Sequence, residues 1–313
     1  MAIIDLHCDT MMCLFEDRSK GSLRQNNLNV DIEKLQAGHY IAQFFALFID
    51  KAEPGDVLER CLAMADLFHN QLADNCDSIR LARNWQEVQR NRQDNLLSAF
   101  LTIEEGGAIK GDMAHLRNFY RLGVRLMTLT WNYPNELGYP NAETEYMSQG
   151  LTDKGREAVA EMNRLGMIID VSHLSDQGFL DVAHLSSMPF VASHSNARAV
   201  TGHSRNLTDD MIRLLSDKGG IMGLNFARQF LGTSPVGRID DMVSHAKHIV
   251  NVGGEDVLAY GSDFDGIDPD IEIAHAGEMG KLTAALQEAG FTSAQLEKFT
   301  WRNAARVIQD VLG

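Results

Sequence analysis

Basic residues are scarce in this chain of 313 residues: 28 Lys and Arg stand against 43 Asp and Glu, giving a formal net charge of −15. That balance argues against a nucleic-acid backbone as partner, because phosphate recognition calls for a basic patch. It argues equally against an anionic membrane surface. Cysteine is also sparse. Cys8, Cys13, Cys61 and Cys76 form no Cys-x-x-Cys pair and no zinc-finger spacing, which favours free thiols in a reducing compartment over a disulfide framework. No apolar run approaches the roughly 18 residues of a membrane span. The first residues lack the basic and long apolar regions of a signal peptide, and the last ones read as a helix rather than an anchor tail. Together these features predict a cytoplasmic protein. Pro/Ser-rich linkers and low-complexity tracts are missing too, and the 44% hydrophobic content excludes disorder. There is no Gly-x-Ser-x-Gly, so the chain lacks the nucleophile elbow of serine hydrolases.

Short, nearly continuous apolar runs recur along the chain: Ala2–Leu6, Ile41–Phe48, Phe100–Ile103, Val124–Leu129, Met167–Val171, Phe190–Ala192, Ile221–Asn225 and Val257–Tyr260. Such runs are expected of parallel strands covered on both faces. Helical patterns lie between them. Asp56 opens a stretch with apolar residues at Val57, Leu58, Cys61, Leu62, Ala65, Phe68 and Leu72, a helical period. Thr152, Ser175 and Thr208 are candidate N-caps, Thr292 and Gln295 form a capping box, and Gly123, Gly166, Gly219 and Gly253 fall at helix ends. Eight strand–helix units predict a single (β/α)8 barrel domain over residues 1–313. A doubly wound open sheet would need a glycine-rich loop after the first strand. The sequence there is His7-Cys8-Asp9-Thr10.

In such barrels the reactive groups sit at the C-terminal ends of strands. Those ends carry His7 and Asp9, Glu104 and Glu105, His173, His194 and Asp263. Each alone has a simpler explanation as a hydrogen-bonded structural residue or a turn cap. Their joint placement at one mouth predicts a metal site, since mixed imidazole and carboxylate ligands suit zinc and related divalent ions. Two ions, one on His7 and Asp9 and one on His173 and His194, could share a carboxylate, as in two-metal hydrolytic sites.

The segments Asp5-Leu6-His7-Cys8-Asp9-Thr10, Glu105-Gly106-Gly107, Asp170-Val171-Ser172-His173, Ser193-His194-Ser195, Ser204-Arg205-Asn206 and Gly261-Ser262-Asp263-Phe264-Asp265-Gly266 occur in this order. With Asn163-Arg164-Leu165-Gly166, they resemble the renal (membrane) dipeptidase family of the amidohydrolase superfamily along nearly the whole chain. The resemblance implies a zinc-dependent dipeptidase that attacks the peptide bond with a hydroxide bridging two Zn2+. By position, His7 and Asp9 would bind one zinc, His173 and His194 the second, and Glu105 would bridge them, with Glu104 as its neighbour. Arg205 would hold the substrate's C-terminal carboxylate and Asp263 would be the acid/base.

The family tolerates a D-residue at the substrate's C-terminal position, so the expected partner is a small dipeptide, including the L-D type. Family members are often dimers, which allows a homodimer here. One departure stands out. The histidine that commonly follows the fourth strand is replaced by Trp131 in Thr130-Trp131-Asn132-Tyr133. An indole can donate one hydrogen bond but cannot titrate, so Trp131 or Asn132 would supply the contact to the substrate carbonyl, or Trp131 is a pocket wall. Two competing readings remain at this stage. One is a related hydrolase of N-acyl amino acids, lactones or cyclic amides, which the Arg205 context disfavours. The other is a metal-binding homologue with impaired catalysis. His203, two residues before Arg205, is a further candidate for the pocket.

Overall fold

The computed structural model describes residues 1–313 and contains nine parallel strands. They are β1 (Ile3–Asp5), β2 (Tyr40–Phe48), β3 (Ile79–Leu81), β4 (Leu97–Glu104), β5 (Val124–Thr128), β6 (Ile168–Asp170), β7 (Val191–Ala192), β8 (Ile221–Leu224) and β9 (Leu258–Tyr260). Eight of them close a ring in the order β1-β2-β4-β5-β6-β7-β8-β9, and Asp5 pairing with Tyr260 joins the last strand to the first. The architecture is a (β/α)8 barrel, and each of the eight apolar runs contributes one of its strands. The ninth strand, β3, escapes a reading based on hydrophobic runs because Ile79-Arg80-Leu81 is too short. It pairs with Leu97–Ala99 of β4, just before β5 takes over that edge at Leu101.

Alternation along the strands sorts residues between two packing layers. Ala99, Leu101 and Ile103 of β4 join the large cluster between the ring and the outer helices. Phe100 points the other way, into a smaller inner cluster with Ile4, Phe44, Leu126, Ile168, Val191 and Ile221. Phe44 and Phe100 stack there with centroids 4.5 Å apart, a contact worth about 0.5–1.5 kcal/mol beyond its buried area. Helix Asn303–Leu312 closes the floor against β1, β6, β8 and β9. Its Ala304, Ala305, Val307, Ile308 and Val311 complete the inner cluster. The inner layer below Phe100 is therefore sealed, and polar side chains from the upper strand ends can meet only at the opposite mouth.

The expected N-caps are in place, whereas Gly219 lies one residue beyond the C-cap Lys218. The side chains of Asp56, Thr152, Ser175 and Thr208 each accept from a first-turn N–H, and Thr292 with Gln295 makes the capping box. Gly123 and Gly166 end their helices at φ 109° and 69°, a conformation that a side chain disfavours. Gly253 is a correction. It is the last residue of its helix, Ile239–Gly253, and Gly254 supplies the positive φ. Leu62 also departs from expectation, lying 41% exposed instead of on the packed face of its helix. No helix is long and apolar enough to cross a membrane.

Candidate metal centre and active site

Six side chains from five strand ends converge at the upper mouth. His7 and Asp9 follow β1, Glu104 ends β4, and His173, His194 and Asp263 follow β6, β7 and β9. All six residues are buried. Glu104 lies at the centre. Its Oε2 is 3.0 Å from His7 Nε2, while its Oε1 is 3.0 Å from His173 Nε2 and 3.5 Å from His194 Nε2. Asp9 Oδ2 and Asp263 Oδ1 flank His7 Nε2 at 3.2 and 3.7 Å. The family resemblance implies Glu105 as the central carboxylate, and the structure places Glu104 there instead. The cause is strand alternation: Glu104 has the inward parity of Phe100 and Thr102. Glu105 lies just past β4 at φ 150° and turns its carboxylate sideways. There it accepts from Gly107 N (2.7 Å), Trp131 N (2.9 Å) and Asn135 Nδ2.

The partners of the two later histidines fix which ring nitrogen faces the cluster. His173 Nδ1 lies 3.0 Å from Asn132 Oδ1, an acceptor, so it carries the proton. His194 Nδ1 is 2.7 Å from Ser193 Oγ, and that hydroxyl donates to Asp170 Oδ2 at 2.5 Å. Ser193 Oγ therefore accepts from His194. Both Nε2 lone pairs are left pointing at one another across 3.0 Å, with Glu104 Oε1 beside them. Three lone-pair donors in that arrangement repel unless a cation lies among them. On the other side, His7 Nδ1 and Asp9 Oδ1 are buried without hydrogen-bond partners. The donor set fits divalent metal ions, and the outer bonds to Asn132, Ser193 and Asp170 are of the kind that orient metal-binding imidazoles.

The electrostatics agree. Burial would lower the pKa of His7, but Glu104 and Asp9 outweigh it and raise it well above 6.5. Burial would raise Glu104, but the charge of His7 beside it holds it well below the carboxylate range. Burial pushes Asp9 up to about 7 and also raises Asp263. It lowers His173 to about 4, aided by Arg205, and lowers His194. The neutral imidazoles of His173 and His194 and the charged Glu104 are the forms a metal needs, whereas His7 is held as a cation and would give up its proton to an ion.

Two aspartates that sequence reading did not single out as functional brace the mouth in the same way. Asp5 ends β1 and accepts from Ser262 N (3.0 Å) and Oγ (2.6 Å). Asp170 ends β6 and accepts from Ser193 N (2.8 Å) as well as its Oγ. Each ties its strand to the neighbour that carries a cluster residue. Their signal was an ionisable residue closing a buried apolar run, where an unpaired charge is costly. His173 and Asp263 adopt φ of 68° and 63°, a strain of order 1–3 kcal/mol each for side chains other than glycine. Gly266 abuts Asp9, and a methyl group there would overlap Asp9 Oδ2.

A cavity of about 220 Å3 opens onto Asp9, Glu104, His173 and Asp263, and Phe48, Trp131 and Phe230 form its apolar wall. Trp131 is held edge-on by Phe48, centroids 4.8 Å apart, and its indole N–H bonds to no protein group. Arg205 is 4% exposed, with its guanidinium carbon 5.2 Å from the centroid of the Phe230 ring. It bonds Ser195 Oγ at 3.4 Å and the His194 carbonyl at 3.2 Å, while its Nε has no partner. His203 does not line the cavity. Its ring packs on Phe230 at 4.7 Å, and its Nδ1 accepts from Arg205 N. Asn225, another residue missed from sequence, donates to Asp263 Oδ2 at 2.8 Å. A larger, open depression of about 490 Å3 lies at the opposite end, among Met1, His39 and Leu97. None of the candidate metal-binding clusters lies there.

Comparison with known proteins agrees with this geometry. The family model described as Membrane dipeptidase (Peptidase family M19) matches residues 1–312. A protein of Schizosaccharomyces pombe named as an uncharacterized dipeptidase is 30% identical, over 97% of this chain and 80% of its own length. A solved dipeptidase of the same peptidase family superposes with a TM-score of 0.91 at 28% identity, covering 100% of this chain and 99% of that one. A metallopeptidase from Rhodobacter sphaeroides, solved with a phosphinate mimic of the dipeptide L-Ala-D-Ala, gives a TM-score of 0.91 at 27% identity, covering 99% of each chain. With a metal-type cluster at the barrel mouth and a family match along its length, the chain belongs to the membrane dipeptidase family of metallo-dipeptidases.

Proposed function

We propose that residues 1–313 form one catalytic barrel that hydrolyses free dipeptides, including those with a C-terminal D-residue, with two Zn2+ at its mouth. His7 and Asp9 would hold one ion and His173 and His194 the other, with Glu104 shared between them. The observation that carries this reading is the division of the Glu104 carboxylate. One oxygen faces His7 and the other faces His173 and His194. When bound, the ions would polarise the scissile carbonyl and acidify the attacking water.

The remaining steps belong to side chains. Asp263 is buried, borders the cavity and is held by Asn225. Burial raises its pKa, which suits a group that takes a proton from the attacking water and passes it to the leaving amine. Arg205 carries a buried charge with an unpaired Nε beside the cavity wall. Such a charge is costly without an anion, and the substrate's free carboxylate would satisfy it. Trp131, Phe48 and Phe230 would bound the substrate, with Asn132 at the polar end. A cavity of about 220 Å3 is small beside ordinary ligand sites, which favours a dipeptide over a longer peptide. The relative solved with an L-Ala-D-Ala mimic supports the stereochemical part.

The test is metal analysis of the purified protein, coupled to hydrolysis of L-L and L-D dipeptides with and without chelator. Expected are two zinc ions per chain, cleavage of both substrate types, and loss of activity on chelation with recovery on adding zinc. Full activity in the chelated, metal-free protein would refute the reading.

A further inference from the structure

Hydrolysis of an amide passes through a tetrahedral species whose oxygen carries negative charge, and fixed N–H donors stabilise it. Few neutral side-chain donors border the cavity. They are the Trp131 indole, the Asn132 amide and the Gln229 amide. Gln229 is exposed, and no protein bond fixes the indole. Only Asn132 is anchored to the cluster itself, through Oδ1 on His173 Nδ1. An amide held by its oxygen has its nitrogen oriented as well, because the group is planar. The Asn132 Nδ2 has no partner within the protein, and the residue is half-buried at the cavity edge.

We propose that Asn132 is a further catalytic residue with two simultaneous bonds. Its Oδ1 keeps the His173 proton on Nδ1, and its Nδ2–H donates to the oxygen of the scissile carbonyl as charge develops there. The second bond rests on the dipeptide reading above; the first does not. Nothing is transferred to or from Asn132, so proton balance remains with the attacking water, Asp263 and the leaving amine.

The loop that presents Asn132 is built for this task, and Glu105 is the residue that positions it. Its carboxylate accepts from Trp131 N, the residue before Asn132, and from Asn135 Nδ2 three residues beyond. Asn135 in turn bonds the Leu129 carbonyl at 2.8 Å and Leu137 N at 2.7 Å. Both ends of the segment from Leu129 to Leu137 are therefore fixed around a carboxylate that is fully buried. Asn132 stands between those anchors, and its side chain has a bond to His173, 41 residues further along the chain.

The experiment compares the parent protein with Asn132→Asp and Asn132→Ala in two measurements. Zinc affinity is read by chelator competition, and kcat and KM are read on a dipeptide at saturating zinc. Aspartate keeps an oxygen for His173 but replaces the donor with an acceptor. N132D is expected to hold zinc within threefold of the parent while kcat falls by about 100-fold or more, with a much smaller change in KM. N132A loses both bonds, and its zinc affinity is expected to fall by about 10- to 100-fold as well. A kcat for N132D within threefold of the parent would overturn the donor role, as would a large kcat loss found in Trp131→Phe and not in N132D. Equal zinc affinities for N132A and the parent would overturn the His173 bond. A parent protein that cleaves no dipeptide would instead defeat the substrate reading. The zinc affinities, which need no substrate, report on the His173 bond independently.

Discussion

Neighbouring glutamates with the same charge and nearly the same burial make opposite predictions here. Glu104→Gln removes the carboxylate that touches His7, His173 and His194 at 3.0–3.5 Å. A unit charge pair about 4 Å apart is worth about 4 kcal/mol at an effective dielectric of 20. Zinc affinity should therefore fall by roughly a thousandfold. Glu105→Gln removes one charge-assisted acceptor from the set held by Gly107, Trp131 and Asn135. That should cost about 1–3 kcal/mol of folding stability and reach zinc only through the placement of Asn132, so affinity should fall by less than the roughly 10- to 100-fold expected of N132A. Chelator-competition titration measures the first quantity, and urea unfolding of the metal-free proteins measures the second. The reasoning fails if E105Q loses zinc while E104Q keeps it, because the inward parity of β4 would then not decide which carboxylate serves the ions.

Three further expectations follow from the site and its supports. Asp263→Asn should retain zinc but lose roughly 100- to 10,000-fold in kcat; metal analysis beside steady-state kinetics checks both, and normal turnover would reject its proton role. Arg205→Ala should raise KM for dipeptides by roughly 30- to 1000-fold, the loss of a buried charge-assisted contact of about 2–4 kcal/mol, and Arg205→Lys should not restore it, since an ammonium cannot form the same paired bonds. His245 is fully buried, accepts from Ala197 N and meets the Leu231 carbonyl at 3.0 Å, with burial lowering its pKa from 6.5 to about 4. As pH falls through 6.5 the unfolded chain takes up a proton there that the folded chain refuses until about pH 4. Stability should thus be lost across that window, by about 3 kcal/mol in total from this group. Urea midpoints between pH 7 and 4.5 should fall less steeply in His245→Gln than in the parent, and identical slopes would count against the assignment.

Much of the fold was legible because burial on both faces leaves a signature that no neighbour needs to supply. Eight apolar runs, each ending in polar or glycine-containing segments, become the eight ring strands. The caps at Asp56, Thr152, Ser175, Thr208 and Thr292 are local hydrogen bonds and were equally readable. The short β3 was not, since three residues carry no period. The helix end at Gly253 slipped by one residue because two glycines in a row make identical local signals, and only backbone conformation separates them.

For the site, the sequence by itself determined which residue types stand at the barrel mouth: His7, Asp9, His173, His194 and Asp263 follow strand ends whatever their neighbours do. Tertiary structure alone decided the roles that depend on direction and on distant partners. It assigned Glu104 to the cluster and Glu105 to the loop, because one residue along a strand reverses the face. It paired Asn132 with His173 and Ser193 with both His194 and Asp170, and it set Phe230 on Arg205. Apolar patterning is a property of each segment, so it survives in the sequence. A hydrogen bond between groups far apart in the chain is a property of closure, and it exists only once the strands have joined into a ring.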